Sequence, residues 1–508
     1  MNFVPVKRWL LLLFALGLIV AARFWNAQQI FVDHQIYFVD ADCYSRMTRV
    51  AAVVAHPGLI LRHHDFENWP LGTIPHTTAL FDYVIASVGW ITGKIDLAGA
   101  ITPVIIALVS GIVLWKWTNQ FRLFTQIAVL LTFAISPILV HGTVLGRPDH
   151  QSLLLLLVIT ALATEWELQK PTFSRKIAIL NGLAWGLALW TSLFEPAVLL
   201  LANLLLGFAI HRGKWLTPTR NTSLITLVVT ALIALSIEHW HTGPLPTGPL
   251  FERWAKSIGE LAPVGWFSGT YLGWFGLIVF ALPFALGWQI FRDKNKAALH
   301  WGLLLFLSYI LTTTAARWGY FMGIAVLFAL PVVLEKWRSR WLGAAFFLGF
   351  WPVAADWDAR LLPARSEQER LAEQREDYRQ LRQICTSIHG DGVLAPWWLS
   401  PPIAYWTGAN CVAGSSHQSL PGNEDVALFY LSRFPEKSHD ILRKRKVTWV
   451  IAYEPSRVLS TASSLLDIPV ANDAFAVTLY NTPRSVPGFL QLERETEFFK
   501  LYRVTDHR

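Results

Sequence analysis

The chain has 508 residues, of which 53% are hydrophobic and 15% charged, and its mean hydropathy is +0.39. Soluble globular proteins carry roughly 25% charged residues, so this composition excludes that class and also excludes a disordered chain. Three cysteines are too few for a disulfide scaffold. The net charge of +8 is not enough to predict a nucleic-acid partner, whereas the 25 Trp and 31 Phe are typical of a membrane protein with aromatic interfaces.

Apolar segments of membrane-spanning length fill the first 355 residues. A bilayer core needs about 20 apolar residues per helix, and about 17 is a lower limit. The first segment is read as an uncleaved helix, because Ala21-Ala22-Arg23 is a poor signal-peptide cleavage site. We predict about eleven spans, near 9–25, 97–116, 123–142, 151–165, 177–194, 196–211, 222–238, 268–290, 300–316, 318–335 and 341–355.

Basic residues precede the first predicted span and follow every second one. Such residues mark cytoplasmic loops, so the pattern places the N-terminus in the cytoplasm and everything after residue 355 in the periplasm or outside the cell. The expected location is therefore the inner (cell) membrane. The residues are Lys7, Arg8, Lys116, Arg122, Lys170, Arg175, Lys176, Arg212, Lys214, Arg220, Arg292, Lys294, Lys296, Lys336, Arg338 and Arg340.

One apolar segment, 77–92, is left out of this count. It contains Asp82, which is costly at membrane depth, and counting it would move every later basic loop outside. We interpret it as an interfacial or re-entrant helix of the first external loop. The alternative is a genuine span, with another span lost elsewhere.

The composition changes at residue 356, where charged residues become frequent. Segment 365–382 predicts an amphipathic helix, and the short apolar runs 392–396 and 447–453 predict strands between helices at 423–435 and 436–446. We therefore predict a membrane domain over 1–355, with external loops at 26–96, 142–150 and 239–267, and an extracytoplasmic α/β domain over 356–508. Cys385 and Cys411 could form a disulfide with Cys43 left over, or all three could be buried thiols.

Carboxylates recur in the predicted external loops. Asp40 and Asp42 form an Asp-x-Asp pair, which outlines a hard-oxygen metal or phosphate site, although a cap for a helix over 43–56 is an alternative. Asp149 stands in Gly-Arg-Pro-Asp-His-Gln (146–151), where Pro and Asp also suit the start of a helix. Glu260 lies in the loop 239–267, where a lone Glu would ordinarily be solvated.

Arg317 lies between two apolar runs at the same predicted face of the membrane. A charge there is costly without a partner, so it favours a function. Arginine suits phosphate because its donors form a fixed fork. Acidic residues from separate loops and one arginine on one face predict a site for a single Mg²⁺ or Mn²⁺ ion and a phosphate group.

These motifs resemble those of the catalytic subunits of oligosaccharyltransferase, which have the C-type membrane glycosyltransferase fold. Asp42-Cys-Tyr-Ser-Arg46-Met is similar to the family's first-loop motif, and Trp69-Pro-Leu-Gly with Leu80-Phe-Asp82 to its next segment. The Asp149 run is similar to its second acidic motif, with Gln151 in place of a His. Ser257-Ile-Gly-Glu260 is similar to its Ser/Thr-Val/Ile-x-Glu motif, and Arg317-Trp-Gly-Tyr to its lipid-pyrophosphate segment.

The resemblance implies a role for each of these residues. Asp42, rather than Asp40, would be the essential carboxylate, with Glu260 as the second catalytic group. Asp42, Asp149 and Gln151 would hold Mg²⁺ or Mn²⁺, and Arg317 with His150 would bind the donor phosphate. The donor would be a polyprenyl-linked sugar among membrane lipids, and the acceptor a protein, a lipid or a glycan. Asp40, Arg46 and His417 are further candidates.

The C-terminal domain departs from the family at its acceptor motif. Trp397 and Trp398 match the two Trp of Trp-Trp-Asp-Tyr-Gly and would contact the acceptor, but Leu399 replaces the Asp that reads the sequon hydroxyl. Leucine cannot accept a hydrogen bond, so the two Trp could instead be packing residues. The surrounding sequence (401–417) is similar to that of divergent bacterial relatives. The alternatives are a C-type transferase with a glycolipid or polysaccharide acceptor, a lipid-glycan transporter, and a non-catalytic scaffold.

Overall fold

The protein is described by a computed structural model that covers residues 4–75, 77–170, 174–211, 215–239, 247–336, 341–390 and 392–505. Four of the basic residues used to predict the topology, Arg212, Lys214, Arg338 and Arg340, lie outside these ranges. Residues 240–246 of the loop predicted over 239–267 also lie outside these ranges.

Helices dominate the described chain. In chain order they are α1 (Val4–Arg23), α2 (Ala27–Ile30), α3 (Ala41–Ala55), α4 (Ala79–Thr92), α5 (Ile95–Thr118), α6 (Leu123–Ile135), α7 (Pro137–His141), α8 (Gln151–Leu168), α9 (Arg175–Thr191), α10 (Phe194–His211), α11 (Pro218–Ile237), α12 (Pro249–Lys256), α13 (Gly269–Phe275), α14 (Ile278–Asp293), α15 (Lys296–Thr314), α16 (Gly319–Lys336), α17 (Trp341–Gly349), α18 (Trp351–Leu361), α19 (Arg365–Cys385), α20 (Ser400–Thr407), α21 (Leu420–Leu431), α22 (Pro435–Lys444), α23 (Pro455–Leu466) and α24 (Phe475–Asn481).

The strands are short. They are β1 (Phe31–Val32), β2 (Gln35–Ile36), β3 (Val393–Leu394), β4 (Trp449–Ala452), β5 (Leu490–Glu495) and β6 (Lys500–Val504), and single 3-10 turns lie at Gly259–Leu261, Ala316–Trp318 and His417–Ser419.

The chain divides into two compact units. The first, here the helical unit, comprises Met1–Gln28, Ala100–Trp240 and Glu260–Ala364. The second, here the mixed unit, comprises Gln29–Gly99, His241–Gly259 and Arg365–Arg508. The mixed unit thus contains two segments from earlier in the chain besides its C-terminal segment. The domain boundary expected at residue 356 stays a prediction.

Five described helices are long and apolar enough to cross a membrane: α5, α8, α11, α15 and the stretch Ala316–Lys336 that contains α16. The segment predicted over 268–290 is broken, because α13 and α14 meet at a bend of 84°. Counting that pair gives up to six spans by length and composition, so the figure of eleven stays a prediction. Shorter apolar helices include α4, α6 and residues 194–210 of α10.

Close helix contacts in the helical unit depend on small residues. A methyl group at Gly182 of α9 would lie 2.3 Å from the backbone oxygen of Ser223 in α11, so the two helices need glycine at this crossing. Beside them, Arg220 of α11 forms a two-pronged ion pair with Glu165 of α8, and both side chains are buried. The Arg220 Nη1 to Glu165 Oε2 distance is 2.6 Å.

The mixed unit contains a four-stranded sheet in the order β3-β4-β6-β5. Strands β3 and β4 are parallel, and the other two pairs are antiparallel. The runs 392–396 and 447–453 contain β3 and β4, and Val450 and Ile451 are fully buried in the core. Cys43, Cys385 and Cys411 are buried, and none of the three forms a disulfide.

A segment of the first predicted loop packs into this core. The Glu67 carboxylate is buried and accepts hydrogen bonds from Ser45, Ser416 and Ser419, the last two at 2.7 Å each. A methyl group at Gly414 would lie 2.5 Å from Glu67, so the segments fit closely here. Residues 64–69 are therefore part of the fold of the mixed unit.

Candidate functional site

The first cluster of predicted site residues lies where the chain enters α8 in the helical unit. Asp149 is 8% exposed, and its Oδ1 accepts a hydrogen bond of 2.6 Å from the backbone N–H of His150. The same oxygen lies 2.7 Å from Nδ1 of His150. Gln151 begins the helix and is also buried. Asp149 is thus a buried carboxylate just before α8, whose N-cap is His150 without a side-chain cap hydrogen bond.

Arg147 joins this turn to Glu260. Its Nη2 forms an ion pair with Oε1 of Glu260 and lies 3.5 Å from Oδ2 of Asp149. Two further groups hold Glu260: Nε2 of Gln151 donates to Oε2 at 3.2 Å, and the hydroxyl of Tyr320 donates to Oε1 at 3.1 Å. The structure therefore brings Asp149, Gln151 and Glu260 together, although more than 100 residues separate Glu260 from the other two.

A histidine completes the hydrogen-bond chain. Nη1 of Arg147 lies 3.0 Å from Nε2 of His141, and Nδ1 of His141 lies 2.7 Å from the Tyr320 hydroxyl. Arginine can only donate, so Nε2 of His141 accepts and its Nδ1 carries the hydrogen. His141 then donates to Tyr320, and Tyr320 donates to Glu260. The hydrogen bonds therefore run in one direction, from Arg147 through His141 and Tyr320 to the carboxylate of Glu260.

Asp149 and Gln151 carry oxygen atoms of the kind that a divalent cation binds. Oε1 of Gln151 is buried and has no hydrogen-bond partner among the described residues. Its orientation is fixed, since turning the amide round would place this oxygen against the Glu260 carboxylate. One arginine faces two carboxylates, which leaves a local charge of about −1, and Mg²⁺ and Mn²⁺ prefer oxygen ligands of this kind. Within the described ranges, no three His, Cys, Asp or Glu side chains alone are placed to hold a metal.

Arg317 lies in the helical unit within a 3-10 turn before α16. Its Nη2 is 2.7 Å from Oε1 of Glu195, which is 2% exposed. The second oxygen of Glu195 accepts a hydrogen bond of 2.8 Å from the hydroxyl of Ser192. Arg317 therefore has the partner that its position requires, and Glu195 fixes the direction of its guanidinium.

The Asp-x-Asp pair lies at the N-terminus of α3 in the mixed unit. Asp40 is the cap, since its Oδ1 accepts the N–H of Cys43 at 3.0 Å, which confirms the cap interpretation for this residue. Asp42 lies in the first turn and is exposed. An anionic side chain there is favoured by the helix dipole, and the carboxylate stays accessible to solvent.

Arg46 has a structural partner in the same unit. Its Nη1 lies 2.7 Å from Oδ1 of Asp82, and Nε of Arg49 lies 3.0 Å from Oδ2 of the same carboxylate. All three side chains are buried. Asp82 itself lies in the 14-residue helix α4 and is neutralised by these two arginines of α3. The cost of this carboxylate within a membrane was one reason for leaving segment 77–92 out of the predicted spans.

The acceptor motif of the sequence lies before α20 in the mixed unit. Trp397 lines a cavity of about 190 Å³, together with Arg253, Trp254, Ser257, Ser460, Thr461, Ser464 and Leu465. The guanidinium of Arg457 lies 5.3 Å from the ring of Trp398. Leu399 is buried and precedes α20. Trp397 therefore lines a cavity with several hydroxyl groups, whereas Trp398 packs against a cation.

His417 lies apart from these groups. It belongs to a 3-10 turn, and its ring packs edge-on to Phe251 at a centroid distance of 6.3 Å. Burial lowers the pKa of His417, and the neighbouring Glu67 carboxylate opposes this only in part. The imidazole is therefore neutral at pH 7, as expected of a packed histidine.

Four residues of the helical unit were not assigned to the site from the sequence: Arg147, His141, Tyr320 and Glu195. The partners of Arg147 and Glu195 are 113 and 122 residues away, so the local sequence does not reveal them. Tyr320 follows Arg317 in the family-like segment, which was the one signal that could have identified it. For His141 the sequence contains no such signal.

Comparison with known proteins agrees with this architecture. No family model matches the chain. Two dolichyl-phosphooligosaccharide-protein glycotransferases of Archaeoglobus fulgidus are similar in sequence, one 29% identical over 159 residues and one 25% identical over 376 residues. The matched parts cover 30% and 67% of this chain, but only 26% and 56% of those relatives.

Solved structures show the same fold. The archaeal oligosaccharyltransferase AglB from A. fulgidus, in complex with an inhibitory peptide and a dolichol-phosphate, superposes with a TM-score of 0.74 at 14% identity, covering 98% of this chain and 80% of that one. A related A. fulgidus crystal structure contains Zn and sulfate. ArnT from Cupriavidus metallidurans, bound to undecaprenyl phosphate, gives a TM-score of 0.59 at 11% identity and covers 98% of both chains.

These comparisons confirm the resemblance that the motifs suggested. The apolar helices and the membrane-embedded structural neighbours together indicate a multi-pass membrane protein. The chain therefore has the fold of the C-type membrane glycosyltransferases, and its homologues are archaeal oligosaccharyltransferases.

Proposed function

We propose that this protein is a membrane glycosyltransferase that moves a sugar or oligosaccharide from a polyprenyl phosphate or pyrophosphate donor to an acceptor at the outer face of the inner membrane. The observation that carries the proposal is the cluster in which Arg147 holds Asp149 and Glu260 beside the unpartnered oxygen of Gln151. Sequence similarity to glycotransferases supports the same class of reaction.

The oxygen atoms of Asp149 and Gln151 would hold Mg²⁺ or Mn²⁺, with Asp42 as the further ligand that the family resemblance implies. A bound divalent cation would supply positive charge for the developing phosphate anion. Arg147 and Tyr320 hold Glu260 in one orientation, from which this carboxylate would orient the acceptor or accept its proton. Asp42 and Glu260 are the catalytic carboxylates of the proposal.

The donor phosphate would be bound by Arg317 with help from His150. Arg317 is 28% exposed in its side chain, whereas its partner Glu195 is buried, so the guanidinium retains donors for a second anion. In the reaction, the acceptor forms a bond to the anomeric carbon, and the bond from that carbon to the phosphate oxygen breaks with inversion. The electron pair stays on the lipid phosphate.

The acceptor would lie at the cavity beside Trp397. A protein acceptor is one candidate, as in the homologues, but the side chain of Leu399 has no oxygen with which to accept the hydroxyl hydrogen of a sequon. This observation favours a second candidate, a transferase with a glycolipid or polysaccharide acceptor. Both candidates keep the same donor chemistry and the same carboxylates.

The test uses purified full-length protein in nanodiscs with a polyprenyl-linked glycan pool and Mn²⁺. Released lipid phosphate or pyrophosphate is measured for wild type, Asp42→Asn and Glu260→Gln, with and without chelator, and Asp473→Asn serves as an exposed-carboxylate control. We expect metal-dependent release that both site variants lose and the control keeps.

Two results would contradict the proposal. Release that is indifferent to chelator and to both substitutions would exclude this site. An absence of release from folded wild-type protein with every donor would favour the transporter or the scaffold. Supplying peptide, glycolipid and polysaccharide acceptors in parallel then separates the two candidate reactions.

A further inference from the structure

The mixed unit contains a second polar cavity of about 300 Å³ that none of the proposed catalytic residues lines. Its walls come from the first turn of α5, the end of α19 and the end of α20. The lining residues are Asp96, Arg382, Cys385, Thr386, Tyr405 and Trp406.

Two of the lining residues carry buried hydrogen-bond donors that have no acceptor among the described residues. Nη1 of Arg382 and Nε1 of Trp406 are both buried and lack a hydrogen-bond partner among the described residues. The side chains are held in place, because the Arg382 guanidinium lies 5.5 Å from the Trp406 ring and 5.7 Å from the Tyr37 ring. Leaving a buried donor without an acceptor is costly, so a ligand that accepts hydrogen bonds is favoured here.

The opposite wall supplies an acceptor. The Tyr405 hydroxyl donates to Oδ1 of Asp96. Burial and the Asp96 carboxylate both raise the pKa of Tyr405, so the hydroxyl stays protonated and keeps this bond. A carboxylate has about four acceptor positions, and Asp96 can therefore accept further hydrogen bonds. Burial raises the pKa of Cys385 to about 12, so its thiol is a neutral part of the wall.

The charges select the class of ligand. Asp96 repels an anion and Arg382 repels a cation, whereas a neutral group that both donates and accepts hydrogen bonds satisfies both. The hydroxyls of a sugar ring have this property, and a cavity of this size lies at the low end for ligand sites, which suits one ring. We propose that this cavity binds one neutral sugar residue of a glycan. The inference goes beyond the proposed transfer, because binding does not require catalysis.

The test is saturation-transfer NMR on full-length protein in nanodiscs with D-glucose, D-galactose, D-mannose, N-acetyl-D-glucosamine and D-glucuronate. We expect at least one neutral sugar to bind more tightly than glucuronate. Trp406→Phe removes the N–H but keeps an aromatic ring, and Asp96→Asn removes the charge. Each should weaken binding about fivefold or more, the effect of one lost hydrogen bond. Trp341→Phe, at an exposed position, and Asp473→Asn are the matched controls and should bind as wild type.

Several results would overturn the proposal. One is that no neutral sugar binds up to about 50 mM, which is well above the millimolar affinity that a few hydrogen bonds give. The others are tighter binding of glucuronate than of every neutral sugar, or an equal loss of sugar affinity in the variants and the controls. Unchanged melting temperatures of the variants exclude unfolding as the cause. In transfer assays, Trp406→Phe should raise the KM only of the substrate, donor or acceptor, whose sugar occupies the cavity. If transfer itself fails, the binding result is unaffected.

Discussion

Helix α8 has a buried arginine–carboxylate pair at each end, and the two pairs differ in completeness. Near its C-terminal end, the two oxygens of Glu165 accept hydrogen bonds from the two Nη atoms of Arg220. At its N-terminal end, Arg147 is shared between Asp149 and Glu260, and the oxygen of Gln151 is left without a partner. We call the Glu165–Arg220 end closed, because the two charges balance there, and such a pair stabilises packing. We call the Arg147 end open, because its acceptors outnumber its donors, and such an arrangement can bind a cation or another hydrogen-bond donor. We therefore expect the C-terminal end of α8 to contribute to stability and its N-terminal end to contribute to activity.

The largest expected effect is on stability, at the closed end. Arg220→Ala leaves Glu165 buried without its partner, and breaking such a pair costs about 3–5 kcal/mol in the free energy of unfolding. Thermal unfolding in detergent should show a clearly lower midpoint, while donor release per folded molecule stays at the wild-type level. The double variant Glu165→Leu/Arg220→Leu should regain most of the loss. A normal midpoint for Arg220→Ala would mean that this pair is not structural.

The open end should give the converse result. Asp149→Asn and Glu260→Gln keep the shape of each side chain but remove its charge, so donor release should fall by about 10²- to 10³-fold, the range seen when one electrostatic group of an active site is removed. The melting temperature should change little, since carboxylate repulsion is relieved at the same time. Strong destabilisation with unchanged release would reverse the assignment of the two ends.

Gln151→Leu tests the unpartnered oxygen directly. It removes a proposed ligand and the hydrogen bond to Glu260, so we expect the Mn²⁺ concentration for half-maximal release to rise about tenfold. Gln289→Leu is the matched control, because Gln289 is likewise a buried glutamine that donates one hydrogen bond of 3.2 Å. Its acceptor is the backbone oxygen of Val332, away from the proposed site. An equal metal requirement in both variants would remove Gln151 from the site.

The smallest effect is expected at Glu195. Glu195→Gln retains an acceptor for Ser192 but no longer fixes Arg317 by charge, so the KM for the lipid donor should rise about fivefold with little change in kcat. Glu195 would then be a positioning residue. Kinetics over a range of donor concentrations separate the two parameters, and a fall in kcat alone would contradict this role.

The sequence predicted the main apolar helices because length and hydropathy determine them locally. It did not predict the 84° bend between α13 and α14, which depends on Gly276: a methyl group there would lie 2.0 Å from the backbone oxygen of Gly349. It also did not predict that segment 29–99 belongs to the mixed unit. Both features depend on contacts between residues far apart in the chain.

For the candidate site, motif order pointed to Asp149, Glu260 and Arg317 but not to the side chains that hold them. The ion pairs of Arg147 and Glu195 could not be predicted, because their partners are distant in sequence. The Asp40 cap follows from local helix chemistry and was among the alternatives. The role of Asp42, in contrast, still depends on family resemblance, because its position in the first turn of α3 suits a helix-dipole interaction as well.

The Glu67 hydrogen bonds have a consequence for synthesis of the chain. Glu67 leaves the ribosome 349 residues before Ser416, one of the two C-terminal serines that complete its shell. At the usual rate of translation, the carboxylate waits roughly 20–70 s for that partner. Throughout that interval the segment around residues 64–69 lacks the C-terminal part of the surface against which it packs. Newly made protein should therefore be most vulnerable to proteolysis in this loop, and slowing translation should lengthen that period of exposure.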